Sequence, residues 1–561
     1  MFFTLAFLAA TLAQVTPQVT PPPTPPPLSE PTPSPSASPL PLPSTSPSAS
    51  PTATPSGPVL TVSTDSVELN PVQQRTISVS GAAPPLTATL DKKLVNVAVD
   101  SSNTSVTLTA TQATGNDVLH LADANGARAD VAVRVAFNAG TIVPQATLQI
   151  TGAPADADWL LKQVQSFVTR LTQALPGTQT KIGQVPAPPA PLAPGVQTQF
   201  LIPVQITDPT GATFDQSGTT VVNVQNVALD PFAPPLLFYD DDPEHVSGDG
   251  ALFRGTVAVT QPVRLYYYHD ATTDPRRIAV VLTSASQDPA SVQVIDATVG
   301  PNADVMHVGD AATRQFLIDK SQDEGIVVSL QQNQPYVLHD LPLPPRQLVA
   351  GTIDFRVLSG GPIVVTVVAY SPGVDPTTLL GGPLLPGDGH HRTGIFTISN
   401  FGSDTLAFTA GGADAKVVIG DRDPTPPSVD SSAPGHDYGD YGVTHVIDVT
   451  MENPGDAAVP AYLYFKPLAG ITRATFLVDG NLVQLGCMRL PNPYQVAAYT
   501  VGPHQTVRSY VQTMTDGGSF YPVEVGVTET APEPSSPPIA APDGCFPKPV
   551  PTEVPSIEPS P

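Results

Sequence analysis

The side chains best suited to chemistry are histidines set among carboxylates. Of ten histidines, His269 closes the run RLYYYHD, while His390 and His391 stand together beside Asp388 in GDGHHRTG. Asp240, Asp241, Asp242, Pro243 and Glu244 run directly into His245. Imidazoles and carboxylates hold Zn²⁺ or Cu²⁺ at contacts of ~2.0–2.2 Å, and oxygen-rich loops hold Ca²⁺. His269, Asp388, His390 and His391 are therefore the candidate ligands for a divalent metal, Ca²⁺ or Zn²⁺/Cu²⁺, with residues 240–242 as further donors. Neighbours on a strand point to opposite faces, so only one of His390 and His391 joins a given site. The plainer reading is that each histidine hydrogen-bonds its own turn. GDRDPTP (from Gly420) and HDYGDYG (from His436) are further acidic loops, and neither follows EF-hand spacing.

Signatures of catalysis are missing from the sequence. There is no G-x-S-x-G, no H-E-x-x-H and no G-x-x-x-x-G-K-[ST]. A non-catalytic protein is the expectation. The alternative is a carbohydrate-active or metal-dependent hydrolase with its site between the two large β modules. Tyr266, Tyr267 and Tyr268 alternate faces, with Tyr267 opposite to the other two. One face is expected in a core and the other on an exposed or interdomain surface, where tyrosine can stack on sugars.

These groups must be positioned by a chain rich in proline: 69 prolines and 42 glycines in 561 residues. Proline lacks the N–H that a helix interior needs, so a mainly helical protein is excluded. The length calls for several domains. A net charge of −25 repels phosphate backbones, so nucleic acid is not an expected partner. It suits solubility outside the cell, or weak Ca²⁺ binding.

Residues 1–13, MFFTLAFLAATLA, form an apolar run ending in small residues and resemble a secretory signal, although no basic residue precedes the run. A membrane span needs ~20 apolar residues, so no transmembrane segment is expected in the mature chain. Residues 14–58 are a Pro/Ser/Thr-rich linker, read as an extended, disordered stalk reaching on the order of 100 Å. Residues 531–561 are a second Pro-rich tail. Cys487 and Cys545 are the only cysteines, and in an exported chain they are expected to form one disulfide.

Between the two Pro-rich ends the pattern is mainly β. Residues 59–138 hold seven or eight short strands, with Val131, Val133 and Val135 on one face, as in an Ig-like β-sandwich. Residues 139–230 carry the one convincing helix, where Leu160, Val164, Phe167, Val168, Leu171 and Leu175 make one stripe, within a small α+β domain. Residues 231–424 and 425–530 read as two further β-sandwiches. RIAVVLTSASQDPASVQVID and THVIDVTMENPGDAAVPAYLYF resemble each other as strand, Asp/Pro turn and strand, in the manner of hairpins.

The opening LTVSTDSVEL and the later GNDVLHLADANG resemble bacterial Ig-like modules of surface proteins. LFYDDDPEH, PVRLYYYHDAT, GHHRTGIF, GDYGV and TMTDGGSFYPV resemble a group of uncharacterised secreted bacterial proteins, some labelled as carrying copper amine oxidase-like N-terminal or stalk domains. That label implies a non-catalytic module. A working oxidase would carry T-x-x-N-Y-[DE] and an H-x-H copper pair, and this chain has neither. The resemblance implies an exported envelope protein with an adhesive, structural or ligand-binding role. Its expected partners are cell-wall or envelope polysaccharide or a surface protein.

Overall fold

The computed structural model describes residues 59–186, 190–399, 401–421, 426–429, 436–535 and Cys545. The signal-like run 1–13, the stalk 14–58 and most of the tail lie outside these residues. Among the described residues no helix is long and apolar enough to cross a membrane. The fold is tandem β-sandwich modules with little helix.

The first sandwich follows from period-two alternation. One sheet orders Thr61–Val62, Gln74–Ser80, Ser105–Ala110 and Val95–Val99. The other orders Ser66–Leu69, Arg128–Val135, Gly115–Ala122 and Thr87–Leu90. Val67, Leu69, Val106, Leu108, Leu119, Leu121, Val131, Val133 and Val135 meet in one core. Each alternate residue points away, which is why these strands are legible from sequence.

A mixed sheet of eleven strands follows. Its path runs Gln179–Ile182, Gln197–Thr207, Gln216–Asn226, Gln145–Thr151, Gly325–Leu330, Ala290–Asn302, Leu348–Ser359, Val263–Ala271, Leu236–Asp240 and Thr393–Thr397. His245–Val246 lies beside Val263–Ala271. The ladder crosses residue 230, because Gln149 pairs with Val327 and Ile150 with Ile326. Segments 139–230 and 231–424 thus share one sheet and one core, where Ile150, Val164, Leu265, Val294 and Ile353 belong together. A four-stranded sheet, Gly250–Val257, Ile363–Tyr370, Arg276–Ser284 and Tyr336–Leu343, contributes Leu252, Val280 and Val365 to the same core.

Helix α1, Ala157–Leu171, forms where the sequence expects it but ends a turn early: Gln173–Ala174 is a strand, and Leu175, expected in the stripe, is exposed beyond it. Asp156 caps it by accepting from Asp158 N at 2.8 Å and Trp159 N at 3.1 Å, an arrangement worth ~1 kcal/mol. Leu160, Val164 and Val168 are buried with Trp159. Helix α2, Val305–Ser321, lies in a stretch that reads as β from sequence. It packs against Ala290–Asn302 and Leu348–Ser359 on one side and Ile471–Val478 and Thr506–Met514 on the other. Being covered on two sides, it shows no single apolar stripe. Gly309 admits the Gly517 backbone, into which any Cβ there would run.

The last sandwich begins at Ser403, ahead of the expected 425. Ser403–Thr409 runs parallel to Thr444–Glu452, and Ala415–Ile419 pairs with Val523–Thr528. The five-stranded sheet continues through Thr506–Met514, Ile471–Val478 and Asn481–Arg489, and the four-stranded one through Val459–Pro467 and Tyr494–Val501. The two hairpin-like stretches prove to be crossovers. Arg276–Ser284 and Ala290–Asn302 lie in different sheets, as do Thr444–Glu452 and Val459–Pro467. An Asp/Pro turn can equally step across a sandwich, and local sequence does not separate the two outcomes.

Cys487 and Cys545 are bonded, with Cα atoms 5.3 Å apart and a sequence separation of 58. In the chain-entropy picture such a loop is worth about 3–4 kcal/mol. Arg489 Nη2 donates to the Cys545 carbonyl at 2.8 Å, a second tie between Cys545 and the last sandwich.

Candidate functional site

The strand Val263–Ala271 organises the charged chemistry. Leu265, Tyr267 and His269 face the large core, while Tyr266 and Tyr268 pack toward the last sandwich with Tyr239 and Tyr441. All three tyrosines are buried. The Tyr267 hydroxyl donates to Thr298 Oγ1 at 3.0 Å.

At the C-terminal end of this strand the expected metal residues meet one turn, residues 240–245, from two directions. His269 is fully buried; its Nδ1 donates to the Pro243 carbonyl at 2.9 Å and its Nε2 lies 3.2 Å from Asp240 Oδ2. Burial works against charge on this imidazole, but the Asp240 carboxylate and the Pro243 carbonyl outweigh it and raise its pKa. His391 reaches the turn from the other side: Nε2 is 2.6 Å from Glu244 Oε2 and Nδ1 is 2.7 Å from Asp388 Oδ2. Asp388 accepts from the backbone N–H groups of His390 at 2.8 Å, His391 at 3.0 Å and Glu244 at 3.2 Å. Burial would raise the Asp388 carboxyl, yet these bonds and the His391 ring hold it well below the usual carboxylate range. His245, not among the expected ligands, sits 2.7 Å from Asp270. His390 is exposed.

The turn therefore gathers His269, Asp388 and His391 and leaves the His390 ring out. What it builds is a set of ion pairs. Both ring nitrogens of His391 face carboxylates, while His269 donates from Nδ1 to the Pro243 carbonyl and faces Asp240 through Nε2 without an aligned hydrogen bond. Among the described residues no group of three or more His, Cys, Asp or Glu is arranged to hold a metal ion.

Toward the last sandwich, buried carboxylates accumulate. Asp437 and Asp516 are fully buried, and burial pushes both carboxyls well above their usual range. Asp440 is pushed up to about 7, and burial drives His445 beside it down to about 4. Arg392 lies 3.7 Å from Asp437 and over the Tyr239 ring.

At the opposite end of Val263–Ala271 lies a cavity of about 670 Å³. It opens at the seam between the large core and the last sandwich. Phe232, Pro234 and Pro235 line it from the approach to Leu236–Asp240, Leu317 and Lys320 from the last turns of α2, and Ile398, Phe401, Val443, Tyr510 and Gln512 from the far side. Arg264 stands opposite Asp354 in the antiparallel ladder. Its Nε is 2.7 Å from Asp354 Oδ1, and its Nη1 donates to the Gly442 carbonyl at 2.9 Å and to Thr444 Oγ1 at 2.8 Å. Lys320 Nζ lies 2.9 Å from Asp354 Oδ2 without an aligned hydrogen bond, and 3.6 Å from the centre of the Phe232 ring. Burial would raise the Asp354 carboxyl, but Arg264 and Lys320 pull it down, while burial lowers the Lys320 pKa. Sequence reading missed this site, because Arg264 and Asp354 are ninety residues apart and only strand register joins them.

A smaller cleft of about 170 Å³ beside α1 holds Glu324, with His339 Nε2 2.7 Å from Asp296 Oδ2. Burial pushes Glu324 up to about 7, but its Oε1 accepts from the Asp156 backbone N–H at the head of α1. That contact gives Glu324 a capping role.

No family model and no curated protein matches this chain. Among solved structures, human mucin-like protocadherin EC1-2 is 12% identical with a TM-score of 0.13, covering 30% of this chain and 98% of that one. Tandem Ig repeats of Dlar are 7% identical at 0.12, with coverages of 30% and 98%. A Bacteroides ovatus mixed-linkage glucan utilization locus protein, SGBP-B, in complex with a mixed-linkage heptasaccharide, is 10% identical at 0.13 and covers 54% of this chain and 72% of that one. TM-scores this low carry no weight, and the architecture rests on the strand pairing above.

Proposed function

We propose that this chain is an exported, non-catalytic protein of the cell envelope or extracellular space, with an adhesive, structural or ligand-binding role, and that the seam cavity is where it holds a ligand. The observation that carries the reading is the cavity's construction. Residues from two cores converge on it, and its walls are aromatic, aliphatic and hydrogen-bonding, the make-up of sites that bind small molecules. The bond between Cys487 and Cys545 suits an oxidising compartment, and the likeness to secreted envelope proteins points the same way. A hydrolase would want carboxylates converging on an open cleft at this junction. The described residues lining the cavity include no carboxylate, which favours binding.

The test is retention of the purified chain on isolated cell wall and envelope polysaccharide, compared with Tyr510→Ala and Gln512→Ala. Retention that falls in both variants supports the cavity as the binding place. Equal retention of all three proteins removes the cavity from the reading.

A further inference from the structure

We infer that the seam cavity is a carboxylate-binding site, taking a ligand with one negative charge on a ring-sized body and seating that charge on Lys320. The inference rests on the ligand-binding reading above and adds the ligand's charge and its anchor. Its first support is a local reversal of charge. The chain carries −25 overall, yet the described residues lining the cavity include two cations, Arg264 and Lys320, and no carboxylate. Their shared counter-ion, Asp354, is fully buried behind them, away from the cavity, and Asp323 acts on Lys320 from further off. Nearby Arg356 is engaged elsewhere, bonding Gln293 Oε1 at 2.9 Å and the Asp230 carbonyl at 2.8 Å.

Hydrogen bonding supplies the second support. Arg264 has committed four of its five donors to Asp354, Gly442 and Thr444. Lys320 Nζ, with three donors, meets only Asp354 Oδ2 at 2.9 Å, without an aligned bond, and the face of Phe232, so donors remain. An ammonium taken from water with unfilled donors is costly, and an anionic oxygen arriving from the cavity fills a donor and faces the charge from its open side. Phe401, Ile398, Val443 and Tyr510 form a wall against which a ring can lie, and about 670 Å³ leaves room for that body.

Two sources share this chemistry, a uronic acid unit of an acidic polysaccharide and an aromatic carboxylic acid. Calorimetry would compare glucuronate oligosaccharides with neutral glucose oligosaccharides, and phenylacetate with phenylacetamide, on wild type, Lys320→Met, Lys320→Arg and Tyr510→Ala. The expected result is a preference of about tenfold or more for the acid in at least one pair. That preference disappears in Lys320→Met and returns in Lys320→Arg, and the pair that shows it identifies the source. Tyr510→Ala weakens acid and neutral forms alike. Neutral forms binding as tightly as acids, or a preference that survives Lys320→Met, would overturn the carboxylate assignment while leaving the cavity as a binding place. Absence of binding in every arm overturns the inference and, with unchanged polysaccharide retention in Tyr510→Ala, the cavity reading as well.

Discussion

The two ends of the strand Val263–Ala271 handle charge in opposite ways. At the His269 end, carboxylates outnumber imidazoles and face them in pairs, His269 with Asp240, His391 with Glu244 and Asp388, His245 with Asp270, although the His269–Asp240 contact lacks an aligned hydrogen bond and Asp241 Oδ1 has none. At the Arg264 end, the cations Arg264 and Lys320 stand on the cavity wall with their carboxylate Asp354 behind them, and Lys320 keeps donors in hand beside the cavity. The comparison separates two meanings of a charged cluster. Charges of opposite sign that face one another tie a turn to a strand, whereas a charged group with donors to spare on the wall of a cavity is available to something else.

The largest effect is expected from Asp354→Asn. It leaves Arg264 and Lys320 buried without their shared carboxylate, and breaking buried pairs of this kind costs about 3–5 kcal/mol. Urea denaturation followed at Trp159, the only tryptophan and part of the same core, should report the loss. A midpoint equal to wild type would contradict the view that Asp354 holds the two cations.

Asp240→Asn tests the other end. His269 can discharge by losing its proton, an escape Arg264 lacks, so the cost should be smaller, on the order of 2 kcal/mol. A loss as large as that of Asp354→Asn would erase the distinction between the two ends.

Dependence on pH sharpens the comparison further. The folded-state pKa of His269 is raised, so its pairing contributes fully below the unfolded value of about 6.5 and fades as pH rises through the folded value. That of Asp388 is depressed, so its contribution is present above about 3.8 and fades as pH falls through the folded value. The stability advantage of wild type over His269→Gln should therefore be greatest in mildly acidic solution and shrink toward alkaline pH. An advantage that grows as pH rises would show the imidazole to be neutral in the fold.

The smallest effects come from the adjacent histidines. His391→Ala removes two ion pairs at a partly exposed site and should cost about 1 kcal/mol. His390→Ala, at an exposed ring, should stay within about 0.5 kcal/mol. Comparable losses in both would mean that the two rings share a function after all.

Much of the local structure could be read without coordinates. Period-two runs such as Val131, Val133 and Val135 mark strands because a pleated chain turns alternate side chains to opposite faces. The same rule separates Tyr267 from Tyr266 and Tyr268. The stripe from Leu160 to Val168 marks α1 because one flank of that helix meets the core and the other meets water. The candidate cluster was legible in part: His269, Asp388 and His391 do meet the turn at residues 240–245, since strand ends gather loops. Their pairing with carboxylates was not legible, because it depends on which ring nitrogen faces which oxygen.

What the sequence by itself determined is the class of the protein: β modules, the proline-rich ends, the acidity, and the faces of individual strands. These follow from local periodicity and composition, which act over a few residues. Only the tertiary structure decided that one sheet crosses residue 230, that α2 is covered on two sides, and that Arg264, Lys320 and Asp354 share a wall of a cavity. Each of these depends on partners far apart in the chain, and strand register and helix docking, which bring them together, leave no pattern in any short stretch of residues.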